Sequence, residues 1–204
     1  MKPEEIEQES FRIILNELGP HSFSAAELAV VQRVIHAMAD FDFARSLRFS
    51  PHAIEEGTAA LCSGCLLVSD VQMIVAGVNH ARLERLGCAV QCLVHDPQVV
   101  DLTRQSGKTR SEVAMQQFGR RLDGAVVAIG NAPTALFEVI RLFQEEDIQP
   151  ALVIGVPVGF VNALESKQAL TQTSINFITA LGRKGGSTVA VAILNALLRL
   201  AEAG

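Results

Sequence analysis

The chain has 204 residues, 49% hydrophobic and 19% charged, which suffices for one closed core and excludes a disordered chain. A formal net charge of −5 with neither Trp nor Tyr argues against nucleic-acid binding, which needs a basic stripe or aromatic platforms for the bases. The start, Met1-Lys2-Pro3-Glu4-Glu5, lacks the features of a signal peptide, and the apolar run over 151–161 is broken by Gly155, Pro157 and Gly159, short of the roughly 20 residues of a membrane span.

The chain therefore reads as one soluble, cytoplasmic domain over 1–204 with no membrane partner. Taken in order, residues 3–18 carry Ile6, Phe11, Ile14, Leu15 and Leu18 near helical spacing, and Gly19-Pro20 stops that helix. Ser24-Ala25-Ala26-Glu27 has the spacing of a capping box and opens a second helix with Leu28, Val31, Ile35 and Met38 toward the core. From Cys65 onward, short apolar runs at 66–69, 89–94, 125–129, 151–155 and 175–181 alternate with helical stretches at 71–86, 109–122, 133–144, 162–170 and 187–201. The runs are apolar on both faces, as strands covered on two sides are. This predicts an α/β protein: a three-layer, flavodoxin-like fold whose five-stranded parallel sheet carries helices on both faces, with an N-terminal helical extension.

Cys62, Cys65, Cys88 and Cys92 suggest a zinc site by spacing, but Cys65 opens one apolar run and Cys92 lies inside another. They read as reduced, partly buried thiols, and no metal is expected.

Ligands of such folds bind beyond the carboxyl ends of the strands. The segments there are Asp70-Val71-Gln72-Met73, Gly130-Asn131-Ala132-Pro133-Thr134, Gly155-Val156-Pro157-Val158-Gly159 and Gly182-Arg183-Lys184-Gly185-Gly186-Ser187-Thr188. In the last, Arg183, Lys184 and the glycine pair precede a helix, whose free N–H groups favour an anion. Lys184 precedes Gly-Gly rather than following a single glycine, so the segment is not a phosphate loop and no nucleotide cofactor is expected. A second anion site is read at Thr109, Arg110 and Ser111, where Thr109 and Glu112 have capping-box spacing. Of five histidines, His21, His52 and His80 read as exposed and His95 follows a strand. His36 lies near the end of the second helix, with Arg33 at i−3 and Asp40 at i+4, where the helix end favours the cation. That setting suits a general acid, and it equally suits a boundary histidine beside a salt bridge.

Several long strings then carry a family resemblance: Arg33-Val34-Ile35-His36-Ala37, Leu47-Arg48-Phe49-Ser50, Gly107-Lys108-Thr109-Arg110-Ser111, Ala128-Ile129-Gly130-Asn131-Ala132-Pro133-Thr134-Ala135-Leu136, residues 150–161, Glu165-Ser166-Lys167 and Gly182-Arg183-Lys184-Gly185-Gly186-Ser187. Over about 6–198 the chain resembles the precorrin-8X (cobalt-precorrin-8) methylmutases. The resemblance implies a cofactor-independent isomerase of cobalamin biosynthesis that moves a methyl group from C-11 to C-12 of an anionic tetrapyrrole. It implies a homodimer with the site near the subunit interface. It makes His36 the catalytic histidine and puts substrate binding at Arg48, Thr109, Arg110, Ser111, Asn131, Arg183, Lys184, Gly185, Gly186 and Ser187. Where the family often carries Ala-Cys/Ala-Gly-x-x-Asp, this chain has Ala37-Met38-Ala39-Asp40-Phe41-Asp42, so the acid falls at Asp40 or Asp42. A non-catalytic tetrapyrrole carrier would share the anion-binding rim but would not need His36.

Overall fold

The structure is a computed structural model that describes residues 2–203. Two helices, α1 (Pro3–Leu18) and α2 (Ala25–Met38), come first. The expected capping box forms at α2: Ser24 Oγ accepts from Glu27 N–H (3.3 Å) while Glu27 Oε2 accepts from Ser24 N–H (2.8 Å). The buried stripe of α2 is Val30, Val31, Val34 and Ile35; the predicted Leu28 and Met38 are only half-buried, so the stripe is rotated from the expected one. Among the described side chains of α1 only Ile14 is buried, whereas Ile6, Ile13 and Leu15 face outward.

The rest of the chain alternates between strand and helix. Its elements are α3 (Asp42–Ser46), β1 (Leu47–Phe49), α4 (Ala53–Cys62), β2 (Leu66–Ser69), α5 (Gln72–Gly77), α6 (His80–Arg85), β3 (Ala89–Gln91), α7 (Pro97–Ser106), α8 (Arg110–Phe118), a 3-10 turn (Gly119–Leu122), β4 (Val126–Ile129), α9 (Pro133–Glu146), β5 (Leu152–Gly155), α10 (Ala163–Thr171), β6 (Phe177–Ala180) and α11 (Ser187–Ala203). The strands form one sheet in the order β1-β6-β5-β4-β2-β3. All neighbours are parallel except β1, which runs antiparallel to β6 with Leu47 opposite Ala180. The expected five-stranded parallel sheet is therefore corrected to a mixed sheet of six. The added edge strand has only three residues with Arg48 at its centre, so it carries no apolar run to betray it.

The sheet has apolar cover on both sides because alternate residues of each strand point to opposite faces. Val126, Ala128, Leu152, Ile154, Ile178 and Ala180 join the core beneath α2, α4 and α11. Val127, Ile129, Val153 and Phe177 join the core beneath α8, α9 and α10. The central helix of the first face, α11, buries Val189, Ala190, Ile193, Leu194, Leu197 and Leu198 at helical spacing. Each of its fully buried leucines contributes about 1.5–3 kcal/mol of transfer free energy.

Two predicted helices are corrected and three others are added. The helix predicted over 71–86 breaks at Val78-Asn79, where Asn79 Oδ1 accepts from Arg82 N–H (3.0 Å) and caps α6, and Asn195 Oδ1 accepts from Asn79 N–H (2.8 Å). The helix predicted over 109–122 ends at Phe118 and tightens into the 3-10 turn. Helices α3, α4 and α7 were not anticipated. Among the described residues no helix is long and apolar enough to cross a membrane.

Candidate functional site

The parallel strands place four loops at one end of the sheet. Two of them interlock: Gly186 N–H donates to the Val156 carbonyl (2.8 Å) and Gly159 N–H donates to the Arg183 carbonyl (3.2 Å). A Cβ at Gly185 would lie 2.3 Å from Val156 O and 3.0 Å from Pro157 O, so this approach of backbone to backbone requires glycine. A third loop joins at Gly130, whose Cβ would meet Ser187 Cα at 2.8 Å. The segments around Gly130, Val156 and Gly185, read separately in the sequence, are thus one surface at the start of α11.

Two lysines hold the Gly182–Ser187 segment differently. Lys167, on α10, is 0% exposed, and its Nζ donates to the Lys184 carbonyl at 2.9 Å. Burial pushes its pKa down from 10.5 to about 8. The Lys184 side chain reaches Asp40 Oδ2 (2.5 Å) and Asp42 Oδ2 (2.8 Å). The Lys184 hydrogen bond holds Asp42 down to about 2 and likewise lowers Asp40. Both candidate acids are therefore engaged, and the Lys184 ammonium is partnered rather than free at the rim. Arg183 remains exposed, its guanidinium 5.4 Å from the centroid of the Phe160 ring. Phe160 and Val161 are 86% and 78% exposed, a large apolar step beside the cation.

His36 stands in the last turn of α2, just before Ala39 takes the left-handed conformation that closes the helix. Its ring is exposed and packs edge-on against Phe11, with centroids 5.4 Å apart at 74°. It lines a cavity of about 240 Å³ with Ile13, Ile14, Glu17, Ile35 and Phe41. The ion pairs of Lys184 with Asp40 and Asp42 tie this helix end to the glycine-rich segment.

On the other side of the sheet, Thr109 caps α8 by accepting from Glu112 N–H (3.2 Å). The reciprocal half of the expected box is missing because the Glu112 carboxylate pairs with Lys108 (3.0 Å). Arg110 is exposed, Ser111 is buried, and the Thr109 and Thr134 hydroxyls hydrogen bond at 2.7 Å, which joins this segment to the start of α9. Asn131 is exposed on the adjacent turn. Arg48, on β1, folds back to donate to the Arg45 and Leu47 carbonyls, both at 2.8 Å.

Two residues of the region had no assigned role in the sequence. Asp70 is 1% exposed and takes three backbone amides: Oδ1 accepts from Gly130 (3.0 Å), and Oδ2 accepts from Asn131 (2.9 Å) and Ala132 (2.6 Å). Burial raises its pKa while the amide donors oppose the rise. Lys167 is the other, and nothing in its local helical pattern marks a buried ammonium. The four cysteines are free thiols; burial pushes Cys65 up to about 12 and raises Cys88 and Cys92. Among the described residues no three His, Cys, Asp or Glu side chains are placed to hold a metal ion.

Comparison with known proteins meets this geometry. The precorrin-8X methylmutase family model matches residues 5–200. The cobalt-precorrin-8 methylmutase of Priestia megaterium is 47% identical over 204 residues, covering 100% of this chain and 91% of that protein. The cobalt-precorrin-8 methylmutase of Leptospira interrogans is also 47% identical, with 97% and 93% covered. A crystal structure of the precorrin-8X methylmutase from Thermus thermophilus superposes with a TM-score of 0.91 at 46% identity, covering 98% of each chain. With a match that spans nearly the whole length and both halves of the candidate site, the chain belongs to the precorrin-8X methylmutase family, isomerases of cobalamin biosynthesis.

Proposed function

We propose that this protein moves the C-11 methyl group of precorrin-8X or cobalt-precorrin-8 to C-12 by a 1,5-sigmatropic shift, with His36 as the general acid–base. One C–C bond breaks and one forms within the same molecule, so no electrons enter or leave. A proton supplied at one position of the conjugated ring is recovered at another, and the sum of atoms is unchanged. The protein has to hold one tautomer, deliver or remove that proton and position the macrocycle.

The observation that carries this reading is that the His36 helix end and the glycine-rich segment are joined through Lys184, Asp40 and Asp42. A catalytic imidazole and an anion-binding rim then belong to one site. In this reading Arg183, the Gly185 backbone and Ser187 receive substrate carboxylates, with Arg48, Thr109, Arg110, Ser111 and Asn131 contributing further contacts; the Gly186 amide, held by the Val156 carbonyl, shapes the segment instead. Lys184 serves the rim through the position it gives to the segment. The exposed Phe160 and Val161 suit the apolar ring. Counted from β2, the parallel strands lie in the order 2-1-3-4-5, which supports a flavodoxin-like description of that part of the sheet. The outward-facing Ile6, Ile13 and Leu15 of α1, of which Ile13 lines the His36 cavity, support a homodimer with the site near the subunit interface.

The test is turnover by wild type and His36→Ala with each substrate form, cobalt-containing and metal-free. Loss of about 10²- to 10⁴-fold in kcat with tetrapyrrole binding retained is expected. A variant with a near-normal rate would remove His36 from the mechanism, and a wild type that binds tetrapyrrole without turnover would leave a carrier.

A further inference from the structure

The end of an open α/β sheet has one preferred place for a ligand, the crevice where the strand order reverses. Here that place lies between β2 and β4, because the chain passes from β2 to β3 on one side and returns to β4 on the other. The crevice is filled by the protein's own carboxylate. Asp70 follows β2 directly, is 1% exposed, and gathers three successive amides of the β4–α9 turn. Successive N–H groups turned to one point form an anion nest of the kind that binds phosphates. These amides lie just ahead of α9, whose N-cap is Ala132 and whose first residue is Pro133, and Asp70 is the acceptor that all three share.

What this turn carries gives the carboxylate its consequence. Asn131 projects from the middle of it. Its first residue, Gly130, sits against the backbone of Ser187, the start of the glycine-rich rim. Its far end continues into Thr134, whose hydroxyl bonds that of Thr109, the cap that presents Arg110 and Ser111. Three rim segments from three different loops therefore meet at a turn whose amides all end on Asp70.

We infer that Asp70 is a positioning residue for substrate binding: an internal anion that closes the switch-point crevice and sets the Asn131 turn, and through Thr134 the Thr109–Ser111 segment, against the Gly185–Ser187 rim. Asp70 touches no substrate, so its removal acts on affinity through the amides it holds. This assignment rests on the methylmutase reading of the site. Asp70→Asn keeps the shape but turns an amide nitrogen toward amide donors. Either the Gly130 bond or the pair from Asn131 and Ala132 must open.

The experiment measures kcat and KM for cobalt-precorrin-8 together with the urea midpoint, in wild type, Asp70→Asn and Thr134→Val. The inference expects KM to rise about tenfold or more in Asp70→Asn and about fivefold in Thr134→Val, with kcat within about threefold and the pH–rate profile unmoved. A purely structural role predicts a lower urea midpoint and less active enzyme at unchanged KM, and that result would overturn the inference. If Asp70→Asn does not fold, Thr134→Val decides, because it removes only the link between the two hydroxyls. An unchanged KM there would then count against the network. A wild type that turned over neither substrate form would overturn the functional reading and this one with it, whereas wild-type turnover with unaltered KM in both variants overturns this one alone.

Discussion

The buried ammonium of Lys167 makes stability depend on pH in a way that one substitution isolates. The side chain is 0% exposed, with its Nζ on the Lys184 carbonyl. A displacement from 10.5 to about 8, at about 1.4 kcal/mol per tenfold change in proton affinity, makes the charged form cost the folded state about 3 kcal/mol at pH 7. Below about pH 8 both folded and unfolded chains carry the proton and the whole cost is present. Between about 8 and 10.5 the unfolded chain binds more protons than the folded one, so stability rises with pH across that window. Lys167→Met cannot titrate and loses this rise. The thiols act in the opposite sense, since Cys65 is held up to about 12 when folded, but they do so equally in both proteins and cancel in the difference. Urea unfolding of wild type and Lys167→Met at pH 7, 8, 9 and 10 is the assay. The wild-type stability minus that of the variant should increase by about 2–3 kcal/mol from pH 7 to 10. A difference that stays flat would mean that the ammonium is not buried, and the anchoring of the rim at Lys184 would need another explanation.

Further outcomes follow from the same geometry. Gly185→Ala forces a Cβ to within 2.3 Å of the Val156 carbonyl, so the rim must move; tetrapyrrole affinity, followed by absorbance titration, should fall by about tenfold or more while the far-ultraviolet circular dichroism is kept. Unchanged affinity would mean that the segment is only a turn. Arg183→Ala should raise the dissociation constant about ten- to a hundredfold, since hydrogen bonds to charged groups contribute about 1.5–3 kcal/mol, and wild-type affinity should fall with added salt. Equal affinities at low salt would exclude Arg183 from the rim. Light scattering at working concentration should return twice the 21.9 kDa chain mass, and a monomer mass would oppose the interface drawn through α1.

The parts of this protein that were legible in its sequence are those written in local patterns. The box Ser24–Glu27 needs only a serine and a glutamate three residues apart, and it forms as expected. The five parallel strands show as apolar runs; β2, β4, β5 and β6 do so because both faces of each are covered, while the edge strand β3 is only partly buried. Strand β1 escapes, since its three residues are fixed by pairing with β6 and not by any pattern of their own. The break between α5 and α6 also escapes, because Asn195, from the far end of the chain, helps to make it. For the candidate site, the sequence by itself pointed to His36, the Arg183–Ser187 segment and the Thr109–Ser111 cap as candidates, through glycine pairs, charges before helices and the family strings. Tertiary structure alone decided which charges meet. Lys184 reads as a free rim cation until Asp40 and Asp42, more than 140 residues away, are found on its ammonium. Asp70 and Lys167 read as ordinary polar residues until the sheet buries one beneath three amides and α10 buries the other beneath the rim. Local pattern sets backbone preference, but burial and charge pairing depend on groups that only the fold brings within a few ångströms.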